Sequence, residues 1–157
     1  MDKSVAGDER WSLARGTRDR VDDVEIWNAK PYLRWAGVRM IEAREGLSLL
    51  ELNVEDHHRG GASSSDNING AIIAYLHDIA QGAAVRSMWH VAHTHMATIS
   101  LNIQYLRLLK SEKRVVGRGR LVQTGTTVAY AESELLDDHG NICSRSTGQF
   151  RLFRKDL

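Results

Sequence analysis

Hydrophobic and polar positions fall into two rhythms along this chain, and one stretch obeys neither. Between residues 67 and 85, "NINGAIIAYLHDIAQGAAV" is apolar or small at almost every position. Ile72, Ile73, Leu76, Ile79 and Val85 recur at helical spacing with alanines between them, which predicts a helix from about Asn69 to about Ser87, buried on most sides. At 1.5 Å per residue such a helix is ~27 Å long, about the width of a small domain. In its midst sits one acid, Asp78, with His77 beside it. Burying an unpaired carboxylate costs several kcal/mol or shifts its pKa, so this acid needs a partner or a task.

The second rhythm has period two. "GVRMIEARE" and "LSLLELNVE" read as strands around a turn at Glu45-Gly46; Leu50, Leu52 and Val54 point one way and Glu51, Asn53 and Glu55 the other. After the helix, "ATISLNIQYL" sets Ile99, Leu101, Ile103 and Tyr105 on one face and Thr98, Ser100, Asn102 and Gln104 on the other. "KRVVGRGRLVQTG", "TVAYAESELLD" and "NICSRSTGQFRLF" follow as an antiparallel meander, joined by turns at Gly125 and at "DDHGN". Ahead of all these, Val21, Val24 and Trp27 predict a short amphipathic helix, and Pro31 and Gly37 bracket a second. "DHHRGGASSSDN" has loop composition. One apolar helix among antiparallel strands implies an α+β fold: a curved sheet wrapped around that helix. A parallel sheet would need alternating helices, and none are predicted. Arg118, Arg120, Glu132, Glu134 and Arg145 leave one sheet face either wet or against another subunit.

Composition narrows the class without naming the chemistry. The 157 residues fit one domain, residues 18–157, behind a polar, flexible segment 1–17. A net charge of +1 advertises neither nucleic acid nor an anionic membrane as partner. The N-terminal stretch lacks the apolar run of a signal peptide, no stretch is long enough to span a membrane, and the single cysteine, Cys143, fits a reducing compartment; a cytoplasmic protein is expected.

The order of elements, together with "PYLRWAGVRMIEAREGLSLLELNV", "NGAIIAYLHDIAQGAA", "ATISLNIQYLR" and "GRGRLVQTGTTVAYAESELLDDHGNICSRSTGQF", resembles the hotdog fold, and within it the phenylacetate-degradation (PaaI-like) acyl-CoA thioesterases. The likeness runs from about Pro31 to about Phe153. In that family the helix opens with His-Gly-Gly and carries an Asp eight residues after the first glycine. Here Gly70 and Asp78 keep the spacing, while Asn69 and Ala71 stand in place of the His and the second Gly. At the offsets of the family's upstream Asn and Gly this chain has Ser63 and Asp66, with Asn67 as the alternative if the loop is longer.

The resemblance implies thioester hydrolysis with Asp78 as general base or nucleophile. The competing reading of Asp78 is an ion pair, with Arg86 eight residues on or with an arginine of a neighbouring subunit. Gly70 and the free N–H groups of the helix start, capped by Asn69, would hold the developing oxyanion. Thr98 would orient water, or else it is a polar residue on the wet face of a strand. Arg107 would meet the CoA phosphates beside Lys110, Lys113, Arg114 and Arg118, or else this is a solvated charge run. Asn67, Ala71 and His77 complete the candidate substrate contacts; His77 points about 100° from Asp78 on a helix, against a direct dyad. Tyr75, Leu76 and Met88 are candidates for shaping the acyl tunnel, with aryl and medium-chain groups both open. No cofactor is expected. His90, His93, His95, His57 and His58 lack a carboxylate or cysteine at ligand spacing, which argues against a metal. The implied partners are an acyl-CoA and further copies of the chain, a homodimer or homotetramer with sites at the subunit seams. The alternative function is a hotdog module that binds acyl thioesters without cleaving them, consistent with Asn69 in place of the histidine.

Overall fold

The structure, a computed structural model, describes residues 24–60, 66–89 and 93–155. The predicted loose terminus, Val21, Ser63 and His90 lie outside the described residues. In chain order the elements are α1 (Val24–Asn28), α2 (Pro31–Ala36), β1 (Val38–Arg44), β2 (Leu47–Asn53), a 3₁₀ turn (Asp56–His58), α3 (Gly70–Arg86), β3 (His93–Tyr105), β4 (Arg114–Thr124), β5 (Val128–Leu136) and β6 (Ile142–Arg154). The six strands form one antiparallel sheet in the order β1-β2-β4-β5-β6-β3, so the predicted meander of the last three strands is present. β3 leaves the end of α3 and returns to the far edge, beside β6.

Leu50 and Leu52 of β2, Val115 of β4, Leu135 of β5 and Phe150 and Leu152 of β6 are buried, as are Ile73, Leu76, Ala80 and Ala83 of α3. The sheet closes on the helix so tightly that backbone meets backbone: a Cβ on Gly119 would stand 2.3 Å from the Ala80 carbonyl oxygen. Ser48 of β2 donates to that same oxygen at 2.6 Å. The hairpin turn forms at Glu45 and Gly46, both at positive φ as a tight two-residue turn requires. The Gly46 N–H then donates to Ser87 Oγ just past the helix, tying the turn to the end of α3.

The first edge, β1, is guarded by a side chain. Asn28 donates through Nδ2 to the Met40 carbonyl and accepts the Met40 N–H at 2.8 Å, so its amide replaces a neighbouring strand. On the outer face of the sheet, the charged residues read as wet or subunit-facing join in a ladder. Arg118 binds Glu134 through Nε and Nη2 at 3.0 and 2.6 Å, Arg145 Nε reaches the other Glu134 oxygen at 2.9 Å, and Arg120 pairs with Glu132. Arg118 and Glu134 are buried in this network, which removes Arg118 from the basic cluster expected around Arg107. Among the described residues no helix is long and apolar enough to cross a membrane.

Candidate active site

The helix is not buried all round. Ile73, Leu76, His77, Ile79 and the run from Ala80 to Val85 are buried, but Gly70 and Ala71 are exposed and Ala74, Tyr75 and Asp78 half-buried along one open strip. These positions recur at three and four residues, one side of a helix. Asp78 is therefore half-buried at the border of an open face, and the uncovered strip answers why a core helix carries an acid.

Thr98 Oγ1 donates to Asp78 Oδ1 at 2.7 Å. Simple alternation would have turned Thr98 outward with Ser100. A β-bulge prevents this: Thr98 pairs with Phe150 and Ser100 with Gln149, leaving Ile99 as the extra residue. Thr98 opposes a core residue, Phe150, and so faces the helix, while Ile99 is 53% exposed rather than in line with Leu101. Gly82, one turn beyond Asp78, allows the close approach of β3: a Cβ there would meet Met96 Cε at 3.1 Å. The Asp78–Arg86 pair does not form. Arg86 stands over the rings of Trp27 and Trp89, 5.7 and 5.0 Å from their centroids, and among the described residues Asp78 has no ion-pair partner.

Eight residues before Asp78, the helix start is built from several segments. Asn69 is the N-cap, and its Oδ1 accepts the Ala71 N–H at 2.8 Å. The Ala71 N–H is thereby occupied, leaving Gly70 N–H and Ile72 N–H as the first-turn donors without an acceptor among the described residues. The Asn69 N–H donates to the His58 carbonyl, and the Ile68 N–H to that of Leu109. His58 is fully buried: Nδ1 accepts the Glu55 N–H at 2.9 Å, so Nε2–H donates to the Ala36 carbonyl. Burial holds its pKa below the usual histidine value. Both nitrogens are taken, so it is a brace and not a metal ligand. Tyr105, the last residue of β3, donates its hydroxyl to the Gly70 carbonyl at 3.2 Å, and a Cβ on Gly70 would touch its ring at 3.8 Å.

Aromatic residues border the acid. Tyr75 donates its hydroxyl to the Tyr32 carbonyl at 2.7 Å, and burial, Tyr32 and the Asp78 charge push its phenol up to about 12. Of the other candidates for the acyl tunnel, Leu76 is in the core and Met88 lies exposed over Gly46. Sequence alone does not place Tyr32 and Tyr105 in the site, because their closeness to Asp78 and Gly70 depends on long-range pairing.

The remaining candidates separate. His77 is not on the open strip; it is fully buried and bound to Ser133 and Ser144, away from any substrate approach in this chain. Asn67 is buried two residues ahead of the N-cap, and its Oδ1 has no partner among the described residues. Arg107 is exposed just after β3, its N–H held by the Cys143 carbonyl. Lys110, Lys113 and Arg114 line a cleft of about 800 Å3 with Arg59, Asp138 and His139. Asp138 frames it by accepting the N–H groups of Glu112, Lys113 and Arg114. Cys143 is buried, and burial with the Asp137 charge raises its thiol to about 11, too high for a nucleophile at neutral pH. His95 stacks on Phe153 at 4.2 Å, and no three His, Cys, Asp or Glu side chains among the described residues converge as metal ligands do.

The geometry thus places a carboxylate, a hydroxyl and free helix N–H groups along one open strip. Comparison with known proteins gives the family and the fold. The sequence pattern of the thioesterase superfamily matches residues 66–144, from the loop before α3 into β6. A Halobacterium salinarum protein that carries an esterase name is 29% identical over 131 residues, 79% of this chain and 85% of that one. A thioesterase structure from Haemophilus influenzae superposes with a TM-score of 0.74 at 12% identity, covering 88% of this chain and 93% of the other. The E. coli PaaI protein from the phenylacetic acid degradation operon gives 0.71 at 14% identity, over 82% and 88%. The chain belongs to the thioesterase superfamily, and its architecture is the hotdog fold that the PaaI structure shares.

Proposed function

We propose that this thioester hydrolase acts on acyl-CoA, with Asp78 activating water or attacking the carbonyl directly. The observation that carries the reading is the Asp78–Thr98 pair: a carboxylate without an ion-pair partner among the described residues, held at 2.7 Å by a hydroxyl that a bulge has turned toward it. If Asp78 is the base, Thr98 orients it and the water; if Asp78 is the nucleophile, Thr98 presents one of its oxygens. Within one chain the Gly70 N–H lies about 12 Å along α3 from Asp78, so the developing oxyanion at Asp78 is taken by the Gly70 N–H of a second copy, at the positive end of its own α3. Asn69 fixes that turn from its side-chain oxygen, and Ala71 lends its N–H to the cap while its methyl borders the substrate. Tyr75 has its hydroxyl satisfied by backbone and offers a ring face to an aryl or medium-chain acyl group. Arg107 and the lysine-lined cleft receive the phosphates, and Asn67 stands at the loop leading to the site.

The same reading gives the chain a second copy as partner. Among the described residues β3 is hydrogen-bonded on one side only, to β6, and it runs for 13 residues beside the open strip of α3. Pairing of two β3 edges would bring a partner over Asp78 and shield the reaction from bulk water.

Thiol release from a panel of acyl-CoA substrates tests the proposal. Turnover is expected, fastest with acyl groups that fit against Tyr75. Saturable CoA binding without turnover would instead support the non-catalytic binding module, for which Asn69 at the helix cap is the motivating feature.

A further inference from the structure

Behind Asp78 lies a buried polar network that the proposed reaction does not use. His77 and Gln81 are 0% exposed, Ser133 and Ser144 1%. His77 Nδ1 meets Ser133 Oγ at 2.7 Å and Nε2 meets Ser144 Oγ at 2.9 Å, while Gln81 Nε2 donates to Ser133 Oγ at 2.8 Å. A neutral imidazole has one donor and one acceptor, which suits two hydroxyls. Ser133 lies on β5 and Ser144 on β6, so one ring ties α3 to two neighbouring strands. His77 and Gln81 are one helical turn apart and converge on a single oxygen. That arrangement fixes both the height of the helix and its rotation about its own axis.

Rotation matters because Asp78 follows His77 directly. The hydrophobic effect is non-directional, so the rotation of the helix is set by close packing, as at Gly119, and by directional bonds. Ser48 to the Ala80 carbonyl is one such bond, and the His77–Gln81 network is the one nearest Asp78 in the chain. Side-chain tips lie about 5–6 Å from a helix axis, so a turn of ~10° carries a carboxylate about 1 Å. A displacement of that size costs on the order of 10²-fold in rate. The network also keeps a disadvantage that an apolar residue would remove: Gln81 Oε1 has no partner among the described residues and is wedged where a Cβ on Gly148 would stand 2.1 Å away. A demand for directional tethering accounts for an amide retained in such a place.

We propose that His77 and Gln81, clamped to Ser133 and Ser144, are positioning residues that set the rotation of α3 and so aim Asp78 at the reacting carbonyl. The inference rests on the reading of Asp78 as the group that acts on the thioester.

The test is a crystal structure of Ser133→Ala beside the wild type, with steady-state hydrolysis of hexanoyl-CoA and phenylacetyl-CoA by both and by Asp78→Asn. In Ser133→Ala the Asp78 carboxylate should move by about 1 Å, and kcat should fall about tenfold or more with KM within about twofold. A carboxylate that stays in place, or an unchanged kcat in folded protein, overturns the positioning role, since a purely structural serine would lower the melting temperature alone. If Ser133→Ala does not fold, Ser144→Ala takes its place, and the same shift in position and kcat supports or overturns the role. Asp78→Asn with wild-type turnover would overturn the catalytic reading beneath the proposal. Asp78→Asn inactive beside fully active Ser133→Ala would overturn the positioning role alone.

Discussion

At the residue scale, the chemistry depends on which way single side chains face. Thr98 is the sharpest case: alternation along "ATISLNIQYL" sets it outward, and one extra residue at Ile99 turns it toward Asp78. Nothing local in the sequence marks that bulge, because it is defined by the pairing with β6, far along the chain. Asp78 and Gly70 are legible for the opposite reason. Their spacing lies within one helix, and helical geometry carries it into space unchanged. Sequence misplaces His77 as a substrate contact because adjacency to Asp78 does not reveal which face of a helix the sheet covers. Thr98→Val should lower kcat about tenfold with little change in melting temperature, since it removes an exposed hydroxyl and its bond to the carboxylate. Steady-state kinetics with wild-type turnover in that variant would remove Thr98 from the mechanism. Asn69→Ala should cost about 1 kcal/mol by urea unfolding, from loss of the Ala71 N–H cap. No change would mean that the first turn is held from elsewhere.

Elements are legible where one periodicity runs uninterrupted. The hairpin at Glu45-Gly46, the α2 bounds at Pro31 and Gly37, α3 itself and the final meander all follow from the sequence pattern. The 3₁₀ turn at Asp56–His58 reads as plain loop in sequence, because it is held by Glu55 and His58 in a local exchange of side-chain and backbone bonds. Sequence also overstates the wrapping of α3: a helix with alanines on its open strip looks buried, since alanine serves equally as core and as small surface residue. How closely the sheet approaches is set by Gly119, where any Cβ would collide with the Ala80 backbone and with Ser48 Oγ. Gly119→Ala should therefore destabilise by about 2 kcal/mol or more in urea unfolding, by pushing β4 from α3. A stability equal to wild type would show that the two backbones have more room than their close approach implies.

For the molecule as a whole, acid is the informative stress. Burial lowers the His77 pKa to about 4 and depresses that of His58, whereas both take up protons near 6.5 once unfolded. The folded state thus binds fewer protons between these values. Stability is full above about pH 6.5 and falls as pH drops toward 4, by about 3 kcal/mol from His77 alone. Urea midpoints measured from pH 7 to pH 4 should decline steadily, and a flat profile would mean that His77 is not buried as a neutral ring. The pairing of two chains through β3 belongs to this scale as well, and it is where sequence says least, since an unpaired edge is a property of strand order and not of any one strand's residues.

The assignment of Asp78 as the group that acts on an acyl thioester underlies the proposed reaction and the positioning role of His77 and Gln81. Its most direct test is the kcat of Asp78→Asn against wild type with the acyl-CoA that the wild type turns over fastest. Asparagine can still accept the Thr98 hydrogen bond, so the fold and KM should hold while kcat falls by about 10²-fold or more. Turnover within a few-fold of wild type would contradict the account.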